Sequence, residues 1–382
     1  MLVFCNSPLV FPSLVLLNGY AELLSQCNMK KKIITVVGAR PQFIKNAPLE
    51  MALKNYDSIE VKSIHTGQHY DDNMSRIFFK ELGIDEPAYQ LNVGSASHGK
   101  QTARMLESIE EILLKEQPSL LVVYGDTNST LAGALSAAKL QIPIAHIEAG
   151  LRSYNKTMPE EINRVLTDYL SSLLFVPSEI SVKNLDKEGV SDGVHIVGDI
   201  MLDTLKMAIK RIVLSAHQEK PYYYVTLHRP YNTDDKDRMI KILNALNNLS
   251  LPVVFAIHPR TSALLSSMNI EIEKYSNIHF IPPQGYFDNL GYMVNAEKII
   301  TDSGGLQKEA WFLKKPCVTI RPETEWLETL TNHWNILVFE DLKELKPALE
   351  ITPGKHIGGY YGEGNTANKI ADIIHHFLFD KQ

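Results

Sequence analysis

Short β-branched runs alternate along the chain with longer segments whose apolar residues recur every three or four positions. Apolar runs at 33–37, 61–65, 120–124, 142–147 and 174–176 read as strands, and the amphipathic stretches 99–116 and 130–140 read as helices between them. The pattern restarts after residue 200. Strands are expected there at 222–226, 253–257, 279–281, 298–301 and 316–320, with helices at 237–247, 304–313 and 341–349. Such alternation predicts an α/β chain with parallel sheets covered by helices on both faces. The two halves are expected to form two Rossmann-like domains facing a cleft, 29–199 and 200–365, joined near 198–204 or through the polar stretch 215–221. A last helix within 366–382 follows a glycine-rich turn and is expected to pack back on the first domain.

Residues 1–28 stand apart. Their apolar run is interrupted by Pro12, Asn18, Gly19 and Glu22, so it is too short and broken to span a bilayer. No cation precedes it, which argues against a signal peptide. Met29-Lys30-Lys31-Lys32 and the β-branched run behind it read as the natural start, and 1–28 are expected to be an extension with no role in the fold.

Composition changes this picture little. The 382 residues are 45% hydrophobic and 21% charged, ordinary for a globular chain with buried cores. A net charge of -6 argues against a dedicated nucleic-acid binder. The three cysteines, Cys5, Cys27 and Cys317, make no CxxC pair, which argues against a zinc site or disulfide framework and suits a reducing cytoplasm.

In open α/β sheets ligands bind beyond the carboxyl ends of the strands, so the residues after each apolar run carry the candidate chemistry. Gly38-Ala39-Arg40-Pro41 is a turn and helix start without GxGxxG, so no dinucleotide fingerprint is present. Arg40 there is either an anion ligand beside a helix N-terminus or a solvated surface residue. His65 and His69 have metal-pair spacing, but Gly67 breaks the helix that would align them, and no metal is expected. Asp126 is either the cap of the next helix or an acid facing the cleft. Glu148 ends another apolar run, where a buried carboxylate needs a partner, and Arg152 is close in sequence. Pro159-Glu160-Glu161 opens a helix on which Glu160, Asn163 and Arg164 share one face. In the second half, His228-Arg229 and His258 with Arg260 end two strands and together suggest an anionic ligand. Thr301-Asp302-Ser303-Gly304-Gly305 ends a strand and starts a helix, as a phosphate cradle would, without the GK[ST] of a Walker A loop. Glu309 lies about one turn into that helix, where its carboxylate could accept two ribose hydroxyls.

The stretches VVGARPQFIK, HTGQHYD, VYGDTNSTLAG, HIEAGLRS, MPEEINR, TLHRPYN, IHPR, TDSGGLQKEA and KPCVTIRPETEW together resemble the non-hydrolysing UDP-N-acetylglucosamine 2-epimerase family. They run from about residue 33 to the C-terminal part of the chain, in the family's order. The resemblance implies a glycosyltransferase-B-like fold and interconversion of UDP-GlcNAc and UDP-ManNAc through 2-acetamidoglucal, with no NAD and no metal. It implies Asp126 and Glu160 as the acid/base pair at C2, Glu148 as a third essential carboxylate and His228 as a contributor to UDP departure. Arg40, His228, Ser303 and Gly304 would hold the diphosphate and Glu309 the ribose. Lys45, Asn163, Arg164, His258, Gly305 and Arg321 complete the expected substrate-binding set. Gln68, His69 and Arg104 lie where bacterial members have a second, allosteric UDP-GlcNAc site. A homodimer is implied by resemblance alone; a cytoplasmic location and no nucleic-acid or membrane partner are expected.

One motif departs from the family pattern. The usual TERPE reads Thr324-Glu325-Trp326-Leu327-Glu328 here, with Trp and Leu in place of Arg and Pro. The TEW form is similar to epimerases acting on UDP-2,3-diacetamido-2,3-dideoxyglucuronate, whose extra carboxylate Arg260 or Arg321 could meet. A glycosyltransferase on the same fold is the alternative from another class.

Overall fold

The computed structural model describes residues 30–67, 85–209 and 221–380. Residues 1–28 lie outside them, as does nearly all of the polar stretch 215–221. Seven strands form the first sheet: β1 (Lys31–Val37), β2 (Ile59–His65), β3 (Tyr89–Gln90), β4 (Leu120–Tyr124), β5 (Ile144–Ile147), β6 (Leu173–Val176) and β7 (Val194–Ile196). Their order is β3-β2-β1-β4-β5-β6-β7. Six strands form the second: β8 (Tyr223–Thr226), β9 (Val253–Ala256), β10 (Ile278–Ile281), β11 (Lys298–Thr301), β12 (Cys317–Thr319) and β13 (Asn335–Leu337), in the order β10-β9-β8-β11-β12-β13. Every recorded pairing is parallel. Both sheets reverse direction once, between β1 and β4 and between β8 and β11, which is the Rossmann arrangement. All five residues of β4 are buried, as expected of a central parallel strand covered on both faces.

The helices of the first half are α1 (Arg40–Leu53), α2 (His98–Glu116), α3 (Asn128–Lys139), α4 (Pro159–Leu170), α5 (Glu179–Lys187) and α6 (Ile200–Ile209). The second half carries α7 (Pro230–Thr233), α8 (Lys236–Asn247), α9 (Pro259–Ser267), α10 (Tyr286–Asn295), α11 (Gly304–Phe312), α12 (Leu345–Glu350) and α13 (Thr366–Phe379). The edge strands β3, β7 and β13 escape the hydrophobic pattern because two or three residues are too few to show a period.

Segment 198–204 does not act as a loose joint. From Ile200 onward it is helical and packs on α1, where the Thr204 hydroxyl donates to the Ile44 carbonyl at 2.7 Å. Helix α13 packs on α1 and α6. The Asp203 carboxylate of α6 accepts the first amides of α13, from Thr366 at 3.1 Å and Ala367 at 3.0 Å. One apolar cluster therefore runs from Ile33 and Leu49 through Met201, Ile370 and Ile374 to Tyr224 and Ile299, so both sheets share a core.

At the opposite end of the first sheet, Glu116 gathers Lys32 at 2.5 Å, Lys62 at 2.9 Å and the Tyr89 hydroxyl. The Lys32 hydrogen bond first, then Tyr89 and Lys62, hold this carboxyl down at about 2. A depressed carboxylate stabilises the fold above its unfolded pKa and loses that contribution as pH falls through its folded one. Glu116→Gln is expected to lower the urea midpoint at pH 7, with the deficit shrinking between about pH 4.5 and about pH 2. A deficit independent of pH would show that the charge of Glu116 contributes nothing.

Candidate active site

On the first domain, β4 runs into Gly125, whose φ of 60° turns the chain sharply before Asp126. Helix α3 is capped by Thr127, which accepts from the Thr130 amide, so Asp126 is not its cap. The Asp126 carboxylate pairs instead with Arg164, and its carbonyl accepts from Asn163 at 2.9 Å. Behind the turn, His146 meets the Gly125 carbonyl through Nε2 at 2.7 Å and Asp168 through Nδ1 at 2.7 Å.

Glu148 directly follows strand β5 and takes a left-handed φ of 73° without being glycine. Such a conformation costs about 1–3 kcal/mol and is typical of residues held for a purpose. Its side chain is 9% exposed and lies between two lysines: Lys45 of α1, and Lys308 of α11 at 2.9 Å. Arg152 is not its partner. That guanidinium is spent on Asp168 at 2.7 Å and Glu188 at 2.6 Å. Glu160, at the start of α4, is 38% exposed and reaches across the cleft to Arg229 at 3.7 Å. The face shared by Glu160, Asn163 and Arg164 therefore divides, with Asn163 and Arg164 on the Asp126 turn and Glu160 on the opposite wall.

On the second domain, the fully buried Asp302 organises the loop after β8. It accepts the backbone amides of His228 and Arg229, each at 3.0 Å, and the Asn232 side chain at 3.1 Å. His228 Nδ1 lies 3.1 Å from the same carboxylate. Burial resists ionisation of Asp302, but the His228 hydrogen bond and charge, the Arg229 amide and Asn232 outweigh it and hold the carboxyl below its usual range. His258 caps α9 by accepting the Arg260 amide at 3.2 Å, and its ring centroid stands 6.3 Å from that of His228.

Ser303 caps α11 through the Leu306 amide. A methyl group on Gly304 would lie 2.7 Å from Glu325 Oε1, whereas one on Gly305 would meet nothing nearer than 3.9 Å. Glu309 is buried on α11 behind this turn. Arg321 is buried and pairs with Glu325 at 2.9 Å. Burial opposes ionisation of Glu325, but Arg321, and Arg164 from the first domain, hold its carboxyl low.

Lys308 joins the two walls. Its ammonium contacts Glu148 at 2.9 Å and Asp199 at 2.5 Å, and it sits 3.7 Å from the Trp326 ring centroid. Burial and this neighbouring charge push Lys45 down to about 7, against the pull of Asp199 and Asp126. Asp302, Lys308 and Asp199 were not singled out by sequence. The first two sit inside the Thr301–Ala310 motif, and Asp199 follows the edge strand that the pattern missed. Arg104 is exposed on α2. The side chain of Arg40, and Gln68 and His69 entirely, lie outside the described residues. Among the described residues no group of three or more His, Cys, Asp or Glu side chains is placed to hold a metal ion.

The fold and cleft define a two-domain α/β enzyme of glycosyltransferase-B-like architecture. A family model described as UDP-N-acetylglucosamine 2-epimerase matches residues 51–375. A UDP-N-acetylglucosamine 2-epimerase homolog of Methanococcus maripaludis is 48% identical over 90% of this chain and 99% of its own. A UDP-2,3-diacetamido-2,3-dideoxy-D-glucuronate 2-epimerase of Pseudomonas aeruginosa is 43% identical over 90% and 99%. A crystal structure of the Methanocaldococcus jannaschii UDP-GlcNAc 2-epimerase with UDP-GlcNAc and UDP superposes with a TM-score of 0.83. It is 42% identical and covers 90% of this chain and 99% of that one. The chain belongs to the UDP-N-acetylglucosamine 2-epimerase family, whose members are isomerases.

The crowding at Gly304 gives a direct test. Gly304→Ala must displace Glu325 and is expected to cost about 1–3 kcal/mol of stability in urea denaturation, while Gly305→Ala is tolerated. Equal effects would show that the Glu325 contact does not set the need for glycine.

Proposed function

We propose that this chain is a non-hydrolysing UDP-2-acetamido-sugar 2-epimerase that interconverts UDP-GlcNAc and UDP-ManNAc. The observation that carries the reading is the placement of Asp126 and Glu148 after the adjacent strands β4 and β5, with Glu160 reaching across to Arg229 beside the His228 loop that Asp302 orders. The C2 hydrogen of the sugar is not acidified by a carbonyl, so its removal is coupled to departure of UDP from C1. A carboxylate takes the C2 proton, the C–H electron pair becomes the C1=C2 bond of 2-acetamidoglucal, and the C1–O pair leaves with UDP. Return delivers a proton to the opposite face of C2 while a diphosphate oxygen re-forms the bond to C1. Opposed acid/base groups serve the two faces, with Asp126 and Glu160 in those roles and Glu148 assisting. His228, Arg40, Ser303 and Gly304 would stabilise the departing diphosphate, with Lys45 and Gly305 in the wider substrate-binding set. His258, Asn163, Arg164 and Arg321 shape the pocket, and Glu309 would hold the ribose. The electron pair that leaves C2 returns to it, so the reaction has no net redox change and needs no NAD, and no step of the proposal is assigned to a metal.

The diacetamidoglucuronate substrate is the second reading, motivated by Trp326-Leu327 and the Pseudomonas relative. The two cations considered for its uronate are both already paired, Arg260 with Asp234 at 2.6 Å and Arg321 with Glu325. A cytoplasmic homodimer belongs to the same proposal, and the exposed Ile162, Leu166 and Tyr169 on α4 support self-association.

Proton NMR in D2O with UDP-GlcNAc is expected to show deuterium entering C2 and a manno product, without free sugar or added acceptor. Turnover of the diacetamido uronate alone would move the substrate assignment. No C2 exchange with either sugar would overturn the epimerase reading and favour a glycosyltransferase. Asp126→Asn, Glu148→Gln and Glu160→Gln are each expected to cut kcat by at least ~10²-fold while UDP affinity by calorimetry stays near that of the native chain. A variant that keeps its turnover removes that residue from the mechanism.

A further inference from the structure

The Lys308 ammonium is sealed from solvent, with its side chain 2% exposed. A charge held that far from water survives only with counter-charges at close range. Three groups from three separate loops supply them: Glu148 after β5, Asp199 after β7 and the face of Trp326 after β12. The Trp326 ring contributes through its quadrupole and excludes water from the far side of the ammonium. Trp326 itself is buried, with Tyr361 packed edge-on against it. The seat of Lys308 is therefore rigid, while the group it reaches, Glu148, stands on a left-handed backbone in the other domain.

Glu148 is gripped from two sides. Lys45 comes from its own domain, and burial and Lys308 push that amine down to about 7, so its charge fades as the pH rises through neutrality. Asp126 and Arg164 also act on Lys45 from the same wall.

We propose that Lys308 is a positioning residue for epimerisation: fixed by Trp326 and Asp199, its ammonium crosses the cleft and sets the Glu148 carboxylate when the two domains are docked. The proposal rests on the reading of Glu148 as a group the reaction requires. It gives the Trp of the Thr324-Glu325-Trp326 motif a task, as the platform for a lysine rather than a contact to substrate.

The test is Lys308→Met, which keeps the length of the side chain and removes its charge. Removing a cation from beside a carboxylate raises the carboxylate pKa. The acidic limb of the kcat/KM profile is expected to move up by about one pH unit, and kcat to fall by ~10²-fold, with UDP affinity close to native and a lowered melting temperature, because Asp199 is left buried without its cation. Lys308→Met with Glu148→Gln is expected to be no slower than Glu148→Gln alone, because the lysine acts through that carboxylate. Should the Met variant not fold, Trp326→Leu is expected to move the acidic limb the same way, and Trp326→Phe, which keeps an aromatic face, to restore it. A folded Lys308→Met with native kcat and an unmoved limb overturns the proposal, as does an additive double variant or an unmoved limb in Trp326→Leu. If Glu148→Gln turns over like the native protein, the reading of Glu148 fails and takes the role of Lys308 with it. If Glu148→Gln is inactive and Lys308→Met is native-like, only the role of Lys308 falls.

Discussion

Two lysines share one buried carboxylate where the two sheets meet. Glu148 lies between Lys45 of the first domain and Lys308 of the second, and Asp199 and Trp326 hold the second lysine in turn. None of these charges could stay out of water alone, because burying an unpaired ion costs several kcal/mol. The cluster therefore exists only when the domains are in contact. The cluster ties the placement of Glu148 to the contact between the domains.

The rest of the site is arranged around that junction by strand ends. Parallel β4 and β5 deliver Asp126 and Glu148 side by side, and β8 and β11 deliver His228 and Ser303 opposite them. His228 and Asp126 are backed by buried polar groups. Asp302 orders the His228 loop, His146 braces the Gly125 turn, and Arg164 reaches both the Asp126 carboxylate and the field of Glu325. Such backing fixes these side chains before any ligand arrives, which is the condition for electrostatic preorganisation. Helices α6 and α13 give the domains a common apolar core, so the walls are held together by packing as well as charge.

Much of this was legible beforehand. The runs at β1, β4 and β11 are unbroken and apolar because parallel strands are buried on both faces, and the turn residues after them mark the strand ends where chemistry gathers. Glu148 was recognisable as an acid that needed a partner, yet the partner was misread. Arg152 is four residues away in sequence but is bound to Asp168 and Glu188, whereas Lys308 is distant in sequence and 2.9 Å away in space. Of the two readings of Asp126, the Thr127 cap removes the one that made it the helix cap.

The sequence by itself determined the alternation of strands and helices, the two Rossmann-like halves and the family motifs, because hydrophobic periodicity and turn residues act over a few neighbouring positions. Tertiary structure alone decided which charges meet. The pairing of Lys308 with Glu148, Asp199 and Trp326 and the reach of Glu160 to Arg229 join residues from separate elements. Ion pairing in a buried site depends on distance and desolvation, and neither is encoded in local spacing.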